Sequence, residues 1–369
     1  MDTSDPDISF DESGASNYVG YYQDHFAQLV ADAQSGRRLP ELHRLVEQIK
    51  SDGRGKQYDV IVGVSGGVDS TYLALQASRL GLRVLAVHFD SGWNSELAVG
   101  NIHNLITNLG IDLYTQVVDW REMRDLQLAF LKSGIANADT PTDHAFGFVA
   151  LEQAKKHGIK HILSGSNYVS ESILPASWEY TSDDARLLKA IQRRFGTVKL
   201  KSYPVMSTLS RKIWHPYVRG IRTHDLLNYI PYHYNEAKEQ ISRELGWRDY
   251  GGKHYESVFT RWFQGYYLPT RFGYDKRIAH LSSLILAGEM TREEALSRLE
   301  ADHYPEPLRT QDHAFIAKKI GISVEELDSI VSAPTKTFRD YPNSDSINAK
   351  VFALTNAIGR IAGRLRVSA

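Results

Sequence analysis

Six consecutive residues, Ser65-Gly66-Gly67-Val68-Asp69-Ser70, have the side chains and backbone freedom to hold a polyanion. Two hydroxyls and several N–H groups in a Gly-rich turn can cradle pyrophosphate, and a helix opening just after the turn adds its dipole. Asp69 offers a hard oxygen of the kind Mg²⁺ takes together with phosphate oxygens. No Gly-Lys-Ser/Thr closes the turn, so the lysine that grips β- and γ-phosphates in a Walker A loop is missing. The pattern suits a departing pyrophosphate. Ser65, Gly66, Gly67, Asp69 and Ser70 are the expected nucleotide contacts, with Ser65 and Asp69 also candidates for the chemistry.

Four further clusters could serve the same centre. Asp90-Ser91-Gly92-Trp93-Asn94 reads as a nucleobase and ribose seat, or as a plain turn with Asn94 or Ser95 capping the next helix. Asp143 and His144 sit at a helix start and are both candidates for the chemistry; Asp143 otherwise suits an N-cap, and His144 either a surface position or a proton-handling role. Gly165, Ser166 and Asn167 are small polar residues that let a nucleotide approach the backbone, and Glu171 just beyond is a candidate Mg²⁺ ligand or a solvated acid. Lys253, His254, Glu256, Arg261, Arg271, Lys276 and Arg277 alternate with Tyr and Trp. That mixture fits a phosphorylated sugar, and equally an ordinary charged surface over an aromatic core.

The elements that must position these residues follow from periodicity. Strand patterns at 59–64, 83–89, 112–118 and 160–164 alternate with helical patterns at 70–80, 96–109, 121–132 and 144–157. This predicts an α/β fold with a doubly wound parallel sheet, whose ligand lies beyond the carboxyl ends of the strands. After about residue 200 helical periodicity dominates, as at 223–229, 235–245 and 292–300, and a capped helix start is expected at Ser323. The expected division is an N-terminal segment 1–54, a nucleotide domain 55–205 and a mainly helical substrate region 206–369.

Composition narrows the function. The formal net charge of −1 gives no global basic field for nucleic acid. With no cysteine, the chain has no disulfide, thiolate zinc site or cysteine nucleophile. The acidic start lacks the apolar run of a signal peptide, and no stretch is long enough to insert in a membrane, so a cytoplasmic enzyme is expected.

The loop between strand and helix resembles that of the PP-loop ATP pyrophosphatases, which cleave ATP between the α- and β-phosphates. Over nearly its whole length the chain is similar to one branch, the N-acetyl sugar amidotransferases of surface-polysaccharide biosynthesis. The resemblance is carried by DPDISFDESG (5–14), VSGGVDSTY (64–72), HFDSGWNSELAV (88–99), TPTDHAFGF (140–148), ILSGSNYVSESILP (162–175) and the long GGKHYESVFTRWFQGYYLPTRFGYDKR block (251–277). It implies ATP and Mg²⁺ as cofactors and a nucleotide-linked N-acetyl sugar as substrate, in LPS O-antigen or related glycan biosynthesis. It also implies ammonia from a separate glutaminase acting with a synthase-like partner, and it places Lys253 among the catalytic candidates. The family's two N-terminal Cys pairs are absent: the chain starts after the first, and Ser16 and Val19 stand at the second, so no zinc is expected and Ile8 and Phe10 are expected to hold this segment by packing. Neither nucleic acid nor membrane is an expected partner, and a homo-oligomer is compatible. Two other readings stand beside this one: another PP-loop reaction such as tRNA modification, and a non-catalytic nucleotide-binding module.

Overall fold

Along the first strand, successive side chains enter opposite cores. Val60 and Val62 pack with Leu73 and Ala74 on one face of the sheet, while Ile61 packs with Val87, Phe130 and Leu188 on the other, and all three strand residues are fully buried. The computed structural model describes residues 1–253, 255–347 and 349–350. Its sheet has five parallel strands: β1 (Val60–Gly63), β2 (Val84–Asp90), β3 (Asp112–Val117), β4 (His161–Ser164) and β5 (Arg222–Asp225). Their order is β3-β2-β1-β4-β5. Register runs from Val60↔Val84 to Gly63↔Val87 between β1 and β2, and Ile61 pairs with Ile162 of β4. The strand order reverses at β1, which makes its carboxyl end the switch point where an α/β sheet binds ligand.

The first four strands lie where periodicity placed them. The fifth does not. Residues 223–229, expected as helix, form β5 and then a single 3₁₀ turn, Leu226–Tyr229. Pairing of His161 through Ser164 with Arg222 through Asp225 overrides the weak local pattern. The sheet therefore continues past the expected boundary at 205. The C-terminal aromatic block is equally inseparable from the sheet: Phe259, Trp262 and Phe263 share one core with Ile61 and Val87.

Several helix starts are fixed by the expected chemistry. Ser95 caps Glu96–Leu109 by accepting from Ala98 N–H, and Ser323 caps Val324–Ser332 by accepting from Glu326 N–H. The N-terminal segment is held differently from the expectation. Phe10 is half exposed, whereas Asp5 is buried and accepts hydrogen bonds from Tyr18 (2.6 Å) and Ser177 (2.8 Å). A buried carboxylate with two hydroxyl donors, not an apolar staple, ties this segment down.

Candidate active site

The turn after β1 closes on itself through its hydroxyls. Ser70 Oγ accepts from Ser65 N–H at 3.3 Å, and Ser65 Oγ accepts from Gly67 N–H at 3.2 Å. Gly67 is the N-cap of the helix Val68–Arg79, so the first turn of that helix presents its unpaired N–H groups at the loop. Gly66 has φ +84, and a Cβ there would lie 2.6 Å from the carbonyl oxygen of Ala98. Only glycine satisfies both constraints. The Gly66 carbonyl is occupied by Trp247 Nε1 (2.9 Å) and Asn101 Nδ2 (3.4 Å), which keeps an acceptor out of the anion seat.

Asp69 is the hub. Asn167 Nδ2 donates to its Oδ1 at 3.2 Å, and the Tyr232 hydroxyl donates to the same oxygen. Lys253 Nζ lies 3.6 Å from Asp69 Oδ2, 2.9 Å from Glu171 Oε1 and 2.8 Å from Ser170 Oγ. Burial alone would lower the Lys253 pKa, but Asp69 and Glu171 outweigh it and hold the ammonium above the usual lysine value. Burial and Asp69 push the neighbouring Tyr234 phenol up to about 12, so it stays protonated at neutral pH. Gly165 brings β4 against the loop: a Cβ there would sit 3.3 Å from Ser70 N.

The loop opens on a cavity of 1130 Å³ lined by Ser65, Asp69, Ser70, Ser166, Glu171 and Glu256, with Asp143, Arg211 and His224 farther along. A second cavity of 650 Å³ adjoins it, lined by Tyr255, Lys276, Arg277, His280 and Tyr304. Val68, Tyr234, Tyr250 and Lys253 line both. The junction of the two spaces is thus an ammonium, two phenols and the start of the loop helix. Lys276 and Arg277 of the helix Lys276–Leu286 are paired at their own positions, Lys276 with Glu179 (2.7 Å) and Arg277 with Asp275 (2.7 Å).

Other expected site residues go elsewhere. Asp90 Oδ1 accepts from Gly92 N–H (2.9 Å) and from Asn94 Nδ2 (3.3 Å), closing a local turn. Asn94 bridges to Ser257 on a strand-like segment that crosses this turn, and neither Asp90 nor Asn94 lines either cavity. Asp143 is not an N-cap, since Asp139 precedes the helix Thr140–Lys156; it is an exposed residue whose carboxyl opens on the large cavity, where enclosure by the cavity walls and the nearby Asp139 push its pKa up. His144 is buried, with Nδ1 on the Ser182 carbonyl (2.7 Å) and Nε2 accepting from Met206 N–H (3.0 Å). Both ring nitrogens are committed to backbone, which leaves none to move a proton. Burial also lowers the His144 pKa.

Arg261 and Arg271 are structural. Arg261 forks onto buried Asp312 (2.7 and 2.8 Å), and Arg271 bonds the Tyr267 hydroxyl and the Pro334 carbonyl. Neither lines either of these two cavities. Glu256 reaches the large cavity and accepts from the Tyr250 hydroxyl. His254 lies outside the described residues. Sequence reasoning missed Tyr232, Tyr234, Tyr250 and Arg211. A visible signal for the first two was the polar-aromatic run Tyr232-His233-Tyr234, too short to show periodicity. Arg211 lies against Gly147, where a Cβ would be 2.1 Å from its guanidinium, a long-range contact with no local mark.

Two carboxylates, a hydroxyl and an ammonium thus converge beside the loop after β1. Residues 59–214 match the family of the queuosine biosynthesis protein QueC. Residues 256–355 match the C-terminal domain of the WbpG-like LPS biosynthesis proteins. The glutamine-hydrolyzing GMP synthase of Pyrobaculum aerophilum is 46% identical over 74 residues, covering 20% of this chain and 14% of that protein, so the chain spans only a small part of this curated relative. The NMN synthetase structure from Francisella tularensis is similar at 14% identity, covering 61% of this chain and 92% of that one, with a TM-score of 0.29. Residues 59–214 thus form a domain similar to the QueC family, and residues 256–355 one similar to the C-terminal domain of the WbpG-like LPS biosynthesis proteins.

Proposed function

We propose that the chain is an ATP-dependent amidotransferase acting on a nucleotide-linked N-acetyl sugar, with a UDP-diacetamido uronic acid as the favoured substrate. The observation that carries this reading is the shared wall of the two cavities. A phosphate loop ends one space, an acceptor-sized space lies beside it, and Lys253 stands between them.

In the proposed reaction the acetamido oxygen attacks the α-phosphorus of ATP, and the bond to the bridging oxygen breaks to release pyrophosphate. Ammonia then adds to the activated carbon and loses a proton. The C–O bond breaks, AMP departs with the former carbonyl oxygen, and an acetamidino group remains. An amide oxygen is a poor leaving group; adenylylation makes it a good one. Loop N–H groups, with Ser65 and Ser70, hold the departing pyrophosphate where charge develops. Asp69 and Glu171 fit a divalent cation by the chemistry of the donor set: hard carboxylate oxygens already paired with a cation. Among the described residues no three His, Asp or Glu side chains converge, so phosphate oxygens and water would complete the shell. When bound, Mg²⁺ would neutralise charge on the leaving group. Lys276, Arg277 and His280 face the proposed acceptor. Ammonia is proposed to come from a separate glutaminase with its synthase-like partner, since a cysteine nucleophile is missing from this chain.

The test is incubation with ATP, Mg²⁺, ammonium and a panel of UDP-N-acetyl sugars, reading AMP, pyrophosphate and the small mass decrease of exchanging oxygen for NH. Failure of every sugar to elicit AMP and pyrophosphate would contradict the proposal. The match to QueC supports a second reading, the same activation chemistry serving a queuosine-type substrate. AMP formation with such a substrate and none with UDP-sugars would favour it.

A further inference from the structure

We infer that Lys253 is a resident cation that keeps the divalent-metal seat until metal-bound phosphate arrives, and that lysine and metal occupy this seat in turn. The Lys253 ammonium has three oxygen partners at once: Glu171 Oε1 at 2.9 Å, Ser170 Oγ at 2.8 Å and Asp69 Oδ2 at 3.6 Å. Its side chain is only 17% exposed. Asp69 and Glu171 belong to different elements, the loop helix and the short helix Tyr168–Glu171 after β4. The ammonium lies between the two carboxylates at one wall of the large cavity.

A divalent cation at the same carboxylates needs oxygens at about 2.0–2.1 Å in a near-octahedral shell. It would stand within a few ångströms of the ammonium, in a walled space where like charges are poorly screened. The two cations therefore exclude one another. Lys253 lines both cavities, and its four-carbon stem can carry the ammonium off the seat without leaving their junction. The nucleotide-free centre is then pre-formed around an ammonium, and metal–phosphate entry releases that cation beside the acceptor space.

The inference rests on reading the loop as a pyrophosphate seat, and its test separates the two. Mn²⁺ binding to the full chain is titrated by electron paramagnetic resonance without phosphate, for wild type, Lys253→Met, Lys253→Gln and Lys253→Arg, each checked for folding by its thermal transition. The two neutral variants should bind Mn²⁺ about tenfold or more tightly than wild type, because a positive charge a few ångströms from the metal is gone. Lys253→Arg, which keeps the charge, should stay as weak as wild type. Unchanged or weaker Mn²⁺ affinity in either folded neutral variant overturns the inference. Binding of inorganic pyrophosphate with Mn²⁺ is measured on the same wild-type sample. Its absence contradicts the loop reading, whatever the variants show.

Discussion

At the scale of single residues, the centre depends on groups whose partners are fixed by the fold. Asp69→Ala should lower AMP and pyrophosphate formation by at least about 10²-fold. It also strands the buried Tyr232 hydroxyl, a loss of about 1–3 kcal/mol, so the variant should melt lower yet stay folded. Near-normal turnover would remove Asp69 from the chemistry. Arg261→Ala should cost about 3–5 kcal/mol, because Asp312 is left buried without its fork, while KM for the acceptor is unchanged in protein that remains folded. A raised KM with unaltered melting would put Arg261 back in the substrate site. The loop was legible in the sequence because its turn chemistry is local: the hydroxyls of Ser65 and Ser70 bond each other and the N–H groups of Gly67 and Ser65, all within six residues. Arg261 and His144 were not legible. The groups that satisfy them, Asp312 for one and Ser182 and Met206 for the other, lie tens of residues away.

At the scale of elements, the β4–β5 pair carries a chain of titratable groups in which His161 is buried and His224 and Asp52 are half-buried. His161 Nε2 lies 2.9 Å from Asp52 Oδ2, and His161 Nδ1 lies 3.1 Å from His224 Nε2. Burial lowers the pKa of both rings; that of His224 falls to about 4, with His161 and Arg222 adding repulsion. In the unfolded chain each ring titrates near 6.5. The unfolded state therefore takes up protons that the folded state refuses, and stability is lost as pH falls from about 6.5 toward about 4. Melting temperature should drop between neutral pH and pH about 5, and His224→Gln should shrink the drop. A flat profile in wild type would show that these rings are not held neutral. The sequence of β5, Arg222-Thr223-His224-Asp225, is short and polar, and only its pairing with β4 makes it a strand. Periodicity carries no signal for such an edge, whereas the apolar runs of β1 and β2 were read directly.

At the scale of the whole molecule, the sheet and the C-terminal helices share one core, so they should unfold together. Thermal denaturation should show a single transition, and Trp262→Ala, in the C-terminal block, should lower it by about 3–5 kcal/mol. Two separate transitions would contradict this. The expected boundary at 205 follows the change to helical periodicity in the sequence, and long-range packing such as this shared core leaves no mark in periodicity. The same packing sets the phosphate loop beside the acceptor space, with Lys253 at their common wall. The measurement that tests this account most directly is the product of full-length protein with ATP, Mg²⁺, isotopically labelled ammonium and a UDP-diacetamido uronic acid. The account predicts AMP and pyrophosphate in equal amounts, with the labelled nitrogen in an acetamidino group on the sugar. Release of ADP and phosphate, or AMP without label in the sugar, would contradict it.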